Sequence, residues 1–464
     1  MSDSDSSTGT RRSLEAARSF REWVRDDPER ARRDSARLYR SMRNSTAVFG
    51  GEIIDFLYQP LFIDRKDAAL FGEICIHLDR INRKVTAEYL ENPDFRALWG
   101  FPPLLEELIL ADPGYSNPAP MTRVDLFHSV DHGEVKLCEI NTDGTSGMNE
   151  ITELESRLEA TEAFSALAPE YSPRRFELIE PWTDTVLDLA GDFWGRQVRR
   201  IVIADWEGCG VREEFKTFRR SFEKRGPETR IADPREFVYR NGRLRLDGEP
   251  VDAVYRRAVT RECIERAGEI GDFLEAYRDG AVCVIGGFRS QLLHSKLFFV
   301  LASEGSFDGF LDQAERDFLR RRIPRTARLG AAGGESGPSE RSGGTPGRIL
   351  IDEAFDNGEG FIIKPVDSYA AEGVTAGRDI EAGEWKKLLS RAAGEGGFIL
   401  QEYVDLGTEP YLDCTPGGFE EIPCRNVLGL YSYDGNFSGV YTRTGDSSII
   451  ASRWKSRVAP TFLV

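Results

Sequence analysis

Lysine is scarce in this chain. Of 61 basic residues among 464, only ten are lysines, so a lysine closing an apolar run asks for an explanation. Basic charge is short overall: 78 acidic residues leave a formal net charge of −17. A nucleic-acid binder presents a basic face, which this balance disfavours, and the acidity serves solubility. The seven cysteines include no CxxC pair. Neither a structural zinc nor a disulfide framework is expected, and the odd count suits a reducing cytoplasm. No apolar run approaches the ~18 residues of a membrane span. The polar, acidic opening MSDSDSSTGT does not read as a secretory signal. The phosphate-binding pattern GxxxxGK[ST] is missing, as is a strand-linked GxGxxG, and there are no internal repeats.

What is present suffices for a large core. The chain is 40% hydrophobic and long enough for several domains or one multi-lobed enzyme. Residues 1–12 read as a disordered tail. From Arg12 to about Asn44, apolar residues recur at helical spacing (Leu14, Ala17, Phe20, Val24), with a break at Asp27-Pro28 that predicts two short helices. Residues 74–110 and 147–195 also read as helical, and 122–141 alternates like a hairpin. IVIADWEG (201–208), VDAVYRR (251–257) and AVCVIGG (281–287) are buried-strand patterns, each followed by helical sequence. That alternation over 198–300 predicts a small parallel sheet. The glycine-rich stretch 329–347 is too long for a plain connection; an insertion is favoured over a mobile lid. The final third is strand-rich: FIIKP (361–365), FILQEYV (398–404), NVLGLYSY (426–433) and SGVYTRTG (438–445).

The first chemical constellation is MTRVDLFHSVDHGEVKLCEINTDG, residues 121–144. Asp131-His132-Gly133 suits a three-residue hairpin loop with glycine in the left-handed position. That loop pairs Val130 with Glu134, which sets Asp125 opposite Glu139 and Arg123 opposite Asn141, all on one face. Val124, Leu126, Val130, Cys138 and Ile140 then share the core face. The polar face is either an ordinary solvated one or a site. Two facing carboxylates repel and weaken a sheet, and a divalent cation removes that objection. Asp125, Glu139 and the Asn141 amide form an all-oxygen set of the kind magnesium takes, and Arg123 beside them suits an anionic oxygen.

The second constellation is FIIKPVDSYAAEGV, 361–374. Lys364 ends a buried strand, Pro365 stops the ladder, and the loop 367–373 follows, with Gly373 allowing close backbone approach. Such a loop and lysine can cradle phosphate oxygens. The strand FILQEYV can offer backbone groups of Glu402, Tyr403 and Val404 to an adenine edge. Lys296, at a helix start, and Arg443, at a strand end, supply further cations. Singly, each of these is as easily a solvated surface residue; their order along the chain is what counts. The acidic pair Glu213-Glu214 is read as a solvated helix face before a polyamine contact.

Together these motifs resemble the ATP-grasp superfamily, in its glutathionylspermidine synthase-like branch. The matching segments are Arg123-Val-Asp125, Glu139-Ile-Asn141-Thr-Asp143, Ser295-Lys296, Lys364-Pro365 with Ala371-Glu372-Gly373, Gln401-Glu402-Tyr403-Val404, and Arg443. The Glu-x-Asn motif precedes the lysines, as in the circularly permuted branch. The resemblance spans about 115–450 and departs from the family where its Ser-Asn-Lys reads His294-Ser295-Lys296, losing the asparagine, and in that nothing in residues 1–110 resembles the amidase domain of the bifunctional members.

The resemblance implies an α/β, circularly permuted ATP-grasp fold. Its parts would be a helical region at 13–114, a metal-bearing part at 115–195, a small parallel α/β pre-ATP-grasp unit at 196–295, and an ATP-binding part at 296–464. It implies an ATP-dependent carboxylate–amine ligase with ATP and Mg2+ as cofactors. Asp125, Glu139 and Asn141 would hold magnesium, Lys296 and Lys364 the phosphates, and the loop with Ala371, Glu372 and Gly373 would close over them. Gln401, Glu402, Tyr403 and Val404 would line the base, Arg123 and Arg443 would stabilise an acyl-phosphate, and Asp143, Thr145 and Ser146 would meet the carboxylate substrate. The partners would be small acids and amines, with no nucleic acid and no membrane. The rivals are a phosphotransferase and a nucleotide-binding regulatory protein on the same fold.

Overall fold

The computed structural model describes residues 11–129, 133–208, 211–330, 346–367, 371–415, 418–450 and 456–464. The expected loop tip Asp131-His132 and most of the glycine-rich stretch 329–347 fall outside them.

Two helices, Arg12–Asp26 and Pro28–Met42, open the described chain as the sequence predicts. Ala16, Phe20 and Val24 form the buried stripe of the first. Asp27 accepts from the Arg30 N–H at 3.0 Å, and Pro28 begins the next helix where no N–H is needed. The tail expected over 1–12 does not hold at Arg11 and Arg12, since Arg11 pairs with Asp64 at 3.2 Å and with Asp67, and Arg12 is already helical; the rest of it lies outside the described residues. A long helix, Arg65–Glu91, starts where Asp64 and Asp67 form a capping box. Among the described residues no helix is long and apolar enough to cross a membrane.

Three sheets matter for the site. The first has the order Arg457–Ala459, Asn436–Gly445, Gly418–Tyr433, Met121–Ser129, Glu134–Asn141, with Glu409–Thr415 pairing the long strand at its other end. The second is parallel, in the order Cys283–Ile285, Ala253–Arg256, Arg200–Ala204, Glu228–Ala232, and matches the expected small sheet. A three-stranded antiparallel unit at 238–250, unforeseen in the sequence, follows its edge strand. The third sheet is antiparallel: Thr326–Leu329, Phe398–Glu402, Phe361–Pro365, Thr375–Ala376. Thr461–Leu463 returns to pair in parallel with Leu61–Ile63 beside the N-terminal helices. The chain is therefore an α/β fold of parallel and antiparallel sheets.

Candidate functional site

The hairpin supplies the floor. Arg123 lies opposite Asn141 and Asp125 opposite Glu139, as the sequence suggests. The turn that sets this register is different. Ser129, not Val130, faces Glu134, and a bulge after Asp125 restores the alignment at the site. Cys138 is the extra residue of that bulge. It leaves the core face expected for it and lines a pocket, while Val124, Leu126, Leu137 and Ile140 are buried. Gly429 lies opposite Asp125 on the neighbouring strand, where a Cβ would sit 2.8 Å from Asp125 Oδ1 and 2.9 Å from Arg123. Only glycine lets the strand pass this close.

The facing carboxylates are not left to repel. Asp125, fully buried, accepts from Arg123 Nε at 3.0 Å, from Asn141 Nδ2 at 3.1 Å, and from Arg443, which reaches it across the sheet. Burial pushes the Asp125 carboxyl up, against the pull of both arginines. Burial would raise Glu139 too, but Lys296, Arg443, Lys364 and Arg123 together hold it down at about 2. The repulsion taken from the sequence as an argument for a metal is thus offset by four cations of the protein itself.

No hydrogen bond holds the Glu139 carboxylate among the described residues, and it lines the pocket. Asp125, in contrast, is committed to guanidiniums. Among the described residues no group of three or more His, Cys, Asp or Glu could hold a metal ion. A magnesium ion here would therefore depend on Glu139, the Asn141 amide and phosphate oxygens, with Asp125 joining only on release from an arginine.

The pocket above this floor is narrow, about 80 Å³, and lies between the first and third sheets. It gathers Glu139, Lys296, Lys364, Ala371, Gln401, Glu402, Tyr403, Val404 and Arg443 from segments far apart in the chain. Lys364, itself buried, donates to Gln401 Oε1 at 2.8 Å and to the Cys138 carbonyl at 3.3 Å. Gln401 is aimed by its own donation to Thr326 Oγ1 at 3.0 Å. Lys364 has no carboxylate within ion-pair distance among the described residues, so its charge is available to an anion. Lys296 precedes the helix Leu297–Ser303; burial lowers its pKa, partly opposed by Glu139.

The strand Phe398–Glu402 and its extension form the far wall. The Glu402 N–H is taken by the Arg325 carbonyl at 3.0 Å and the Tyr403 N–H by that of Gly360 at 2.8 Å. The Glu402 side chain is tied to Arg325 at 2.7 Å, so Glu402 lines the pocket while its carboxylate is engaged elsewhere. Glu372 and Gly373 are exposed and do not line the pocket; Ala371 does, at a left-handed φ of 56°.

Phe127, Ile362, Val374, Val427, Ile449 and Ile450 give the pocket apolar walls that the sequence reading missed. One was visible: Phe127 follows Arg123 and Asp125 at the period of two that puts all three on one face.

Asp143, Thr145 and Ser146 do not line this pocket. Asp143 pairs with Arg256 at 3.0 Å and accepts from Gln291 and the Thr260 N–H. Thr145 is buried against Met121. Ser146 meets the floor through its carbonyl, which accepts from Arg123 at 2.8 Å and from Tyr431 at 2.6 Å.

Beneath them lies a buried charge cluster absent from the sequence reading. Glu214, expected on a solvated face, is fully buried. It accepts from the N–H groups of Gly147, Met148 and Asn149 at 2.9–3.2 Å, where the helix Met148–Leu158 begins, and pairs with Arg257 at 3.0 Å. Glu150, buried nearby with an Oε2 that has no partner among the described residues, is pushed up to about 8, first by burial and then by Glu214. A carboxyl raised in the folded state stabilises fully below its unfolded pKa, and that contribution is lost as pH rises through the folded one. Stability should therefore decline between about pH 4.5 and 8. Glu150→Gln should flatten the decline, read as a melting-temperature gain over the parent that is larger at pH 8 than at pH 5. Equal gains at both would show that Glu150 does not titrate in this range.

A scan of protein-family models finds no match to the chain, and a search of curated proteins finds none either. A search of solved structures finds a glutathione synthetase-like effector from Globodera pallida, in its apoform, at a TM-score of 0.61. The match covers 94% of this chain and 98% of that one at 15% identity. The two chains share a fold. It is a glutathione synthetase-like fold, and it extends over nearly the whole chain.

Proposed function

We propose that the protein is an ATP-dependent carboxylate–amine ligase, on a circularly permuted ATP-grasp scaffold, using magnesium. The observation that carries this is the convergence of Lys296, Lys364, Arg443 and Glu139 at one pocket with the Gln401–Val404 wall. The glutathione synthetase-like fold supports the same class of chemistry.

A nucleotide would lay its base between the apolar walls, with its phosphates on Lys364 and Lys296. Bound magnesium would neutralise phosphate charge from Glu139 and Asn141. A substrate carboxylate oxygen attacks the γ-phosphorus and ADP departs with the electrons of the broken P–O bond. An amine then attacks the acyl carbon, phosphate departs with the C–O electrons, and the nitrogen gives up its proton to the released phosphate. The chain's own residues hold reactants and oppose negative charge: Lys364 and Lys296 on phosphate, Arg443 and Arg123 on the acyl-phosphate and its tetrahedral successor.

The test is ADP release from Mg-ATP against paired acids and amines, with mass spectrometry of products. ADP release requiring both partners, with a new amide mass, is the expected result. Tight ATP binding without ADP release across a broad panel would instead favour a nucleotide-binding regulatory protein; phosphate transfer to a hydroxyl or carboxylate with no amide would favour a phosphotransferase.

A further inference from the structure

Next to the narrow pocket lies a much larger cavity of about 800 Å³. That is the size of cavities that enclose small organic ligands. Lys296 lines both. The cavity sits at one end of the third sheet, where Leu329, Gly330, Val366, Asp367, Gly396 and Gly397 line it. The Gln401–Val404 wall is at the opposite end, because Phe398 pairs with Leu329 and Pro365 while Glu402 pairs with Phe361. A nucleotide with its base at that wall and its phosphates at the lysines directs its terminal phosphate toward this cavity.

The cavity walls have two characters. Trp99, Phe101, Pro102, Leu105, Ile264 and Leu297 make an apolar surface. Arg328 stands beside them, donating to the Leu98 and Trp99 carbonyls at 3.4 and 3.3 Å. No carboxylate lies within ion-pair distance of it among the described residues. Burial pushes its pKa down and the charge of Glu304 opposes this only in part, a remaining cost that a bound anion relieves. The other arginine of the wall, Arg261, has Glu265 at 3.7 Å. The cavity therefore offers one guanidinium for a carboxylate, an apolar surface, and a route to the phosphate end.

We propose that this cavity binds the amine partner of the ligation as an amino acid or dipeptide with a branched or aromatic side chain. Its apolar body packs on Trp99, Phe101, Leu105 and Ile264, its carboxylate pairs with Arg328, and its amine, which attacks as the neutral base, faces the phosphate end of the cavity. The assignment rests on the ligase function proposed above. A polyamine has no carboxylate to offer Arg328 and is disfavoured.

Calorimetric titration without nucleotide separates the two ideas, since it reads the cavity and not turnover. The probes are L-leucine, L-phenylalanine, their carboxamides and spermidine. A charge-assisted bidentate contact makes the free acids bind about tenfold or more tighter than the carboxamides. In Arg328→Gln that preference should vanish. Ile264→Trp, which fills the cavity from a helix and leaves the third sheet untouched, should weaken both acids. Equal binding of acids and carboxamides to the parent would overturn the proposal. So would a preference that survives Arg328→Gln, tighter binding of spermidine than of either acid, or no binding of either acid at millimolar concentration. Binding as expected without any ADP release would retain the cavity's ligand and remove the ligase.

Discussion

Lys364→Ala should lower kcat for ADP release by about a hundred- to a thousandfold, the scale of losing one preorganised charge in a water-poor site. The structure sharpens why the loss should fall on turnover. Among the described residues Lys364 is held by neutral oxygens of Gln401 and Cys138 and not by a carboxylate. Its removal leaves Glu139 three of its four cations and strands two polar acceptors, at a cost of about 1–3 kcal/mol each if water does not replace the ammonium. The melting temperature should drop by a few degrees. A variant that fails to fold would make the lysine structural; one that folds and turns over normally would take it out of the site.

The second large effect is on stability, and it separates the two carboxylates of the floor. From sequence alone, Asp125→Asn is expected to relieve repulsion with Glu139. The structure reverses that expectation. Asp125 is the partner of Arg123 and Arg443 in a buried setting, so neutralising it leaves two guanidiniums with much less compensation. Breaking a buried ion pair typically costs about 3–5 kcal/mol. Asp125→Asn should therefore melt well below the parent. Glu139→Gln should fold nearly as well, since among the described residues no hydrogen bond depends on that carboxylate, while weakening magnesium-dependent ATP binding. Calorimetric unfolding and Mg-ATP titration of both variants check this. Equal melting temperatures would mean that the arginine–aspartate arrangement contributes little to the fold, and unchanged Mg-ATP affinity in Glu139→Gln would remove the metal site.

The parts of this site that could be read from sequence are those fixed by local rules. Alternation placed Arg123, Asp125, Glu139 and Asn141 on one face, and two apolar strands marked Lys364 and the Gln401 wall. The bulge at Cys138 escaped, because one extra residue in a strand leaves no pattern of its own and the shifted turn compensates for it. The neutralisation of Asp125 escaped for another reason. Arg443 reaches it only because the sheet sets Gly429 opposite Asp125 and Arg443 opposite Val427, which is strand order and not periodicity. Glu214 was misread as solvated since an acidic residue in the first turn of an amphipathic helix usually is; here it caps a different helix. The large cavity draws its walls from six separate segments, each unremarkable alone.

The sheet order also constrains how the molecule can be made. Met121–Ser129 is flanked on one side by its hairpin partner and on the other by Gly418–Tyr433, and the last described strand, Thr461–Leu463, is the one that meets Leu61–Ile63. During synthesis the hairpin leaves the ribosome long before its second neighbour exists. Its open edge, with Val124 and Leu126 beside it, must wait for most of the chain. Pairings so distant in sequence form slowly and leave sticky edges exposed meanwhile. Yield of the protein in cells should thus hinge on chaperone capacity, and truncations near the C-terminus should be lost to aggregation before their effect on the pocket can be assayed.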